Sequence, residues 1–144
     1  MQIRVKIDTP SQFAPDIKNP TFKVFWQNKD LFYPMEDWED FGFIIIGWWV
    51  STIIRYSQGD MKGDFLFMDG PYSIGGKLNK ENGELELSPK GLDIIWRMSL
   101  EEFTKMLVCT IQDLQSELSR HDIQSQEHMK LETYLKILKN YSPG

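Results

Sequence analysis

The chain of 144 residues contains one cysteine and two histidines. A lone cysteine, Cys109, excludes an internal disulfide, and such sparing use suits a reducing cytoplasm. One thiol and two imidazoles cannot build a Cys/His zinc site without recruiting carboxylates. His121 and His128, flanked by Asp122 and Glu127, fall near a helix junction, where the simpler reading is a pair of exposed polar residues at a turn. Cys109 is expected mid-helix, with no positive helix end or histidine beside it to activate it, and reads as a packing residue. Phosphate-loop and Gly-x-Ser-x-Gly patterns are missing too, since Gly70-Pro71 and Gly75-Gly76 read as hairpin glycines. The uninterrupted apolar run Phe41 to Val50 is half the roughly 20 residues a membrane span requires, so it reads as core. The opening MQIRVKID has no apolar h-region or cleavage site, so Sec export is not expected.

Positive charge is also scarce. Lys and Arg total 16 against 21 Asp and Glu, a net charge of −5. Between Asp30 and Asp69 eight acids face only Arg55 and Lys62, a local sum of −6, so one quarter of the chain carries the whole acidic excess. That pattern disfavours nucleic-acid binding, which needs cations against phosphate, and suits a basic protein partner. Equally, these carboxylates serve as a solvated rim and as helix caps.

What the chain has in abundance is concentrated in Glu36 to Tyr56, where Glu36, Asp37, Glu39 and Asp40 surround Trp38 and run into Phe41, Phe43, Ile44 to Ile46, Trp48 and Trp49. The block predicts a central helix from about Asp37 to Ser57, its acids offsetting the positive end of the macrodipole. Ile44, Trp48 and Val50 to Ile54 are expected to face the deepest core, and Gly47 to let a neighbouring element approach. Upstream, Gln2 to Ile7 and Thr21 to Trp26 alternate as strands, Thr9 to Pro20 reads as loop, and Asn28 to Pro34 as a turn leading to the helix. Downstream, Phe65 to Met68, Tyr72 to Leu78, Glu84 to Leu87 and Leu92 to Met98 form an antiparallel meander, because their connections are too short for crossover helices. Ser99-Leu100-Glu101-Glu102 is a capping box opening a helix whose stripe is Leu100, Phe103, Leu107, Ile111, Leu114 and Leu118. A second helix, Ser125 to Lys139, carries Leu131, Leu135 and Leu138. The expected architecture is α+β, a single domain over residues 1–144, with an antiparallel β-meander packed against a central Trp-rich helix and two C-terminal helices.

Three functional readings compete on these residues. Paired carboxylates such as Glu39 and Asp40 are the raw material of acid/base hydrolysis, though neighbouring residues point apart on a helix. Asp69, in Met68-Asp69-Gly70-Pro71-Tyr72, is better suited to locking a turn through its side chain. A small-ligand or regulatory module would use an aromatic cleft of Phe22, Phe25, Trp26, Tyr33 and Trp38. A protein-binding module would use Trp38 as an anchor, with self-association through the tryptophan helix a further possibility.

Trp38-Glu39-Asp40-Phe41, Ile46-Gly47-Trp48-Trp49 and Phe65 to Tyr72 resemble the pattern of small cytoplasmic immunity proteins from bacterial polymorphic-toxin and contact-dependent inhibition systems. The resemblance covers roughly residues 36 to 76. It implies an inhibitor without enzymatic activity or cofactor, which binds a cognate toxin domain inside the producing cell. Charge alone nominates Glu36, Asp37, Trp38, Glu39, Asp40, Asp60 and Asp64 as its partner-binding residues, with a basic toxin such as a nuclease as the matching partner.

Overall fold

Alternating apolar residues give the first two strands, β1 (Gln2–Lys6) and β2 (Phe22–Asn28), which pair antiparallel with Ile3 opposite Trp26. A computed structural model of the protein describes residues 1–8, 10–14, 17–124 and 126–141. Along the other side of β2 lie β3 (Leu31–Tyr33) and β4 (Glu39–Asp40) in succession, bridged where the Val24 amide donates to the Trp38 carbonyl at 2.8 Å. Residues expected to form a turn and a helix start are therefore an interrupted strand. The edge of β2 requires backbone partners there, and Asp37 takes a left-handed φ of 61°, which no helix accommodates.

The central helix α1 runs Gly42–Ser57, with no acid in its first turn. Gly42 lies so close to the Phe22 ring that a Cβ would collide with it, which fixes the helix start against β2. The rotation of α1 differs from the expected one: Ile45, Ile46, Trp49, Val50 and Ile53 are buried, Ile44 is half-buried, and Trp48 is 38 % exposed. Three polar groups on the buried side account for this phase. Trp49 Nε1 donates to the Leu66 carbonyl at 2.9 Å, Thr52 Oγ1 to that of Asp64 at 2.9 Å, and Tyr56 OH to that of Gly63 at 2.7 Å. All three acceptors belong to β5 (Lys62–Leu66), the outermost strand of the second sheet. The Asp64 and Leu66 carbonyls lie on the open edge of β5, so Thr52 and Trp49 occupy acceptors that this edge would offer to another chain, whereas the Gly63 carbonyl faces β6.

That sheet is the expected antiparallel meander in the order β5, β6 (Ser73–Asn79), β7 (Glu84–Pro89), β8 (Trp96–Ser99). Leu85 and Leu87 point inward as expected. The outer strands are displaced, β5 starting three residues before Phe65 and β8 four after Leu92. Ser99 caps α2 (Leu100–Arg120), its Oγ accepting from the Glu102 amide at 3.0 Å, and the stripe from Phe103 to Leu118 is fully buried. Helix α3 (Glu127–Tyr141) buries Leu131, Leu135 and Leu138. The expected start at Ser125 and the terminal residues 142–144 lie outside the described residues. Gly47 admits α3 closely: a Cβ there would stand 2.6 Å from the Tyr134 hydroxyl.

The two sheets and two of the helices meet at the Trp26 ring. It lies 5.6 Å from Trp49, Phe65 and Phe103 and 6.4 Å from Trp96, centroid to centroid. One residue of β2 thereby touches α1, β5, β8 and α2, and aromatic contacts of this kind add about 0.5–1.5 kcal/mol each beyond area burial. Helix α2 also covers the open side of β1. Thr110 Oγ1 contacts the Ile3 carbonyl at 3.3 Å, and the Ile7 amide donates to Glu117 Oε2 at 2.9 Å.

Glu117 gives the fold a defined acid sensitivity. Burial works against its charge, but the Ile7 amide and the Arg120 guanidinium outweigh it and hold the carboxyl below the usual glutamate range. A carboxylate depressed in the folded state contributes stability that is present above its unfolded pKa and is lost as pH falls through the folded one. Glu117→Gln is expected to flatten the fall in stability below about pH 4.5, measured by urea unfolding across pH. An unchanged acid limb would show that Glu117 is not the group responsible.

Candidate functional site

The nominated residues separate into three groups. Asp40 is 0 % exposed and is withdrawn from any partner. Its Oδ1 accepts from the Phe41 amide at 2.7 Å, its Oδ2 from Trp38 Nε1 at 3.0 Å, and both oxygens from the Asp69 amide at 3.2 to 3.3 Å. Position 40 therefore ties three backbone and side-chain donors from two loops to one carboxylate. Asp69 was expected to lock its own turn by its side chain; here its amide is the part held, and Asp40 does the holding. Strand alternation puts exposed Glu39 and buried Asp40 on opposite faces of β4, so the two cannot share a substrate as an acid/base pair.

Glu36, Asp37 and Trp38 stay together around this anchor. Trp38 is half-buried, its ring edge-to-face with Tyr72 at 5.1 Å, and Tyr72 in turn meets Tyr33 at 5.8 Å. Tyr33 OH lies 3.0 and 2.9 Å from the Ser73 and Lys90 carbonyls and accepts from the Ser73 amide at 3.2 Å, joining the two sheets at this point. Its single proton serves one carbonyl at a time. The outcome is a fixed ledge of two abutting loops, Pro34 to Glu39 and Met68 to Tyr72. It exposes Met35, Glu36, Asp37, Glu39, Met68 and Asp69.

Part of the ledge's charge is internally compensated. Lys23 pairs with Asp8 and lies 3.7 Å from Asp37. The hydrogen bond from Lys23 lowers the Asp8 pKa, and the same contact raises that of Lys23. Sequence reasoning overlooked this pairing because Asp8, just past the end of β1, is brought to Lys23 of β2 only by the β1–β2 register, which sets Lys6 opposite Lys23. Asp60 and Asp64 form the third group and do not belong to the ledge. The 16 residues of α1 put Asp60 about 24 Å from Asp40, and Asp64 faces outward midway along β5.

The aromatic cleft expected from Phe22, Phe25, Trp26, Tyr33 and Trp38 does not form, because the first four are buried in or against the core. A cleft of about 360 Å³ opens elsewhere, between residues 18–20, the first half of α1 and the start of α3. Phe41, Phe43, Trp48 and Tyr134 supply its aromatic walls. Its one visible sign in the sequence was Gly47-Trp48, a helix position without a side chain next to a large one.

Cys109 is exposed rather than packed, since it falls off the Thr110–Ile111 side of α2. His128 Nε2 lies 3.0 Å from the Ile123 carbonyl, and His121 Nε2 is 3.9 Å from Glu117. Among the described residues, no group of three or more His, Cys, Asp or Glu is placed to hold a metal ion. No helix among them is long and apolar enough to cross a membrane. Compared with protein-family models, curated proteins and solved structures, the chain matches none of them.

Proposed function

We propose that this protein is an immunity-type inhibitor that binds a cognate toxin domain through the ledge around Trp38, without itself catalysing a reaction. The observation that carries the reading is the Asp40 anchor. A fully buried carboxylate gathers donors from two loops and holds an acidic, methionine-flanked surface in place before any partner arrives. Such preorganisation favours binding, because little conformational freedom remains to be lost on association. Exposed Glu36, Asp37, Glu39 and Asp69 suit a basic partner surface, and Met35 and Met68 supply adaptable apolar contact beside them. The resemblance of residues 36 to 76 to immunity proteins supplies the class of partner.

Co-expression with the C-terminal domain of the neighbouring upstream protein tests the proposal. Rescue of growth and co-elution are expected. The triple variant Glu36→Lys/Glu39→Lys/Asp69→Lys, all exposed positions, is expected to slow association by tenfold or more at low salt, with the difference narrowing as salt screens the charges. Toxicity that persists despite abundant folded partner would sink the immunity reading. A triple variant that associates at the parent rate would move the contact surface away from the ledge.

A further inference from the structure

We propose that the cleft between α1 and α3 is a binding site for a small planar anion, a flat π system carrying a carboxylate or phosphate. This site is separate from the ledge and does not depend on the toxin reading. The cleft is about 360 Å³, within the range of small-molecule sites. Trp48 forms one wall and is left 38 % exposed on a helix whose Trp49 neighbour is fully buried. Tyr134 forms another, and the missing side chain at Gly47 is what allows its hydroxyl to lie against α1.

Among the described residues that line the cleft, cations outnumber carboxylates. Among the described residues, neither the Trp48 indole N–H nor the Tyr134 hydroxyl has a hydrogen-bond partner. Lys18 and Lys130 line the same cleft, where the carboxylate among the described residues is Glu127, 3.2 Å from Lys130. Among the described residues of the cleft two cations stand against one anion, which calls for a negatively charged ligand, and the Trp48 N–H and Tyr134 O–H are available to donate to its acceptors. The aromatic walls call for a flat one, since stacking on an indole face is favourable for any planar π system. A basic side chain from a protein partner would meet Lys18 and Lys130 at like charge.

Titration calorimetry on the full chain tests the inference with two probes, indole-3-acetate and AMP, each beside its uncharged counterpart, indole-3-acetamide or adenosine. At least one anion is expected to bind at micromolar to low millimolar concentration, its uncharged counterpart more weakly; which anion binds separates a carboxylate source from a phosphate source. Trp48→Ala is expected to weaken that binding about tenfold or more. Lys18→Glu is expected to weaken the anion while leaving the uncharged counterpart unchanged. The melting temperature of both variants reports on the fold, and both positions are exposed, so folding is expected to survive. Because α1 also touches the core, perturbation of the Trp48 indole N–H signal by ligand in the parent protein gives a second reading that requires no mutant. No binding of either anion up to millimolar concentration, or binding indifferent to Trp48→Ala, would overturn the proposal.

Discussion

Replacing Asp40 with alanine is expected to destabilise the protein by about 3 to 5 kcal/mol, more than any other single acidic substitution in the chain. Hydrogen bonds to a charged acceptor contribute about 1.5–3 kcal/mol each, and the loss of this one carboxylate strands the Phe41 amide, the Trp38 indole N–H and the Asp69 amide together. Asp40→Asn keeps the shape and one acceptor oxygen but turns an NH₂ toward donors, so a loss of roughly half that size is expected. Urea denaturation followed by circular dichroism measures both. An unfolding free energy for Asp40→Ala within about 0.5 kcal/mol of the parent would show that the carboxylate is not the anchor. The same variant separates stability from the proposed binding: with the two loops untied, association with the proposed toxin partner is expected to weaken even under conditions where the variant remains folded.

Glycine at position 76 should prove irreplaceable, even by alanine. In an ordinary strand that change is favourable by about 0.5–1 kcal/mol, because glycine loses more backbone freedom on folding. Here a Cβ would run into the Tyr56 hydroxyl and stand 2.6 Å from the Gly63 carbonyl oxygen. The backbone oxygen cannot swing aside, so the sheet must open, and a loss of about 3 kcal/mol or more is expected. Tyr56→Phe alone removes the hydroxyl that serves Gly63 and is expected to cost about 1 kcal/mol. In the Gly76→Ala background the same change relieves part of the collision, so its cost should fall toward zero or reverse sign. Additivity of the two would place Tyr56 elsewhere. Burial also raises the Tyr56 pKa well beyond the ordinary tyrosine range. Its neutral form therefore contributes stability that is present below the unfolded pKa of about 10 and declines above it, and Tyr56→Phe should flatten that alkaline decline.

Most of the architecture could be read from the pattern of side chains. The meander, the Ser99 cap and the stripe of α2 each rest on local periodicity or turn chemistry, and all three are present in the structure, the cap through the Ser99 oxygen. The errors gather between Asn28 and Asp40, where acids ahead of an apolar run have the same sequence signature whether they cap a helix or edge a strand. What decided between them was the need of β2 for backbone partners, a demand made by residues far from the acids in sequence. The rotation of α1 escaped for a similar reason. Trp48 and Trp49 are equivalent in hydropathy, and only the Leu66 carbonyl, presented by β5, singles out Trp49 for the interior. The candidate site fared accordingly: Glu36, Asp37 and Glu39 were found as exposed charges, whereas the anchoring role of Asp40 and the contribution of Asp69 depend on contacts that span the two sheets.

The two covered strand edges also differ in when they can be covered. Strand β5 receives its edge donors, Thr52 and Trp49, from 12 and 17 positions earlier, so α1 and β5 can close over one another as soon as they leave the ribosome. Strand β1 is made well before its α2 partners, Thr110 and Glu117, which lie 107 and 110 residues downstream of Ile3 and Ile7. Until α2 has been made, its outer side lacks these partners. The charged residues Arg4 and Lys6 alternate with its apolar ones, and these charges discourage pairing with another nascent chain during that interval.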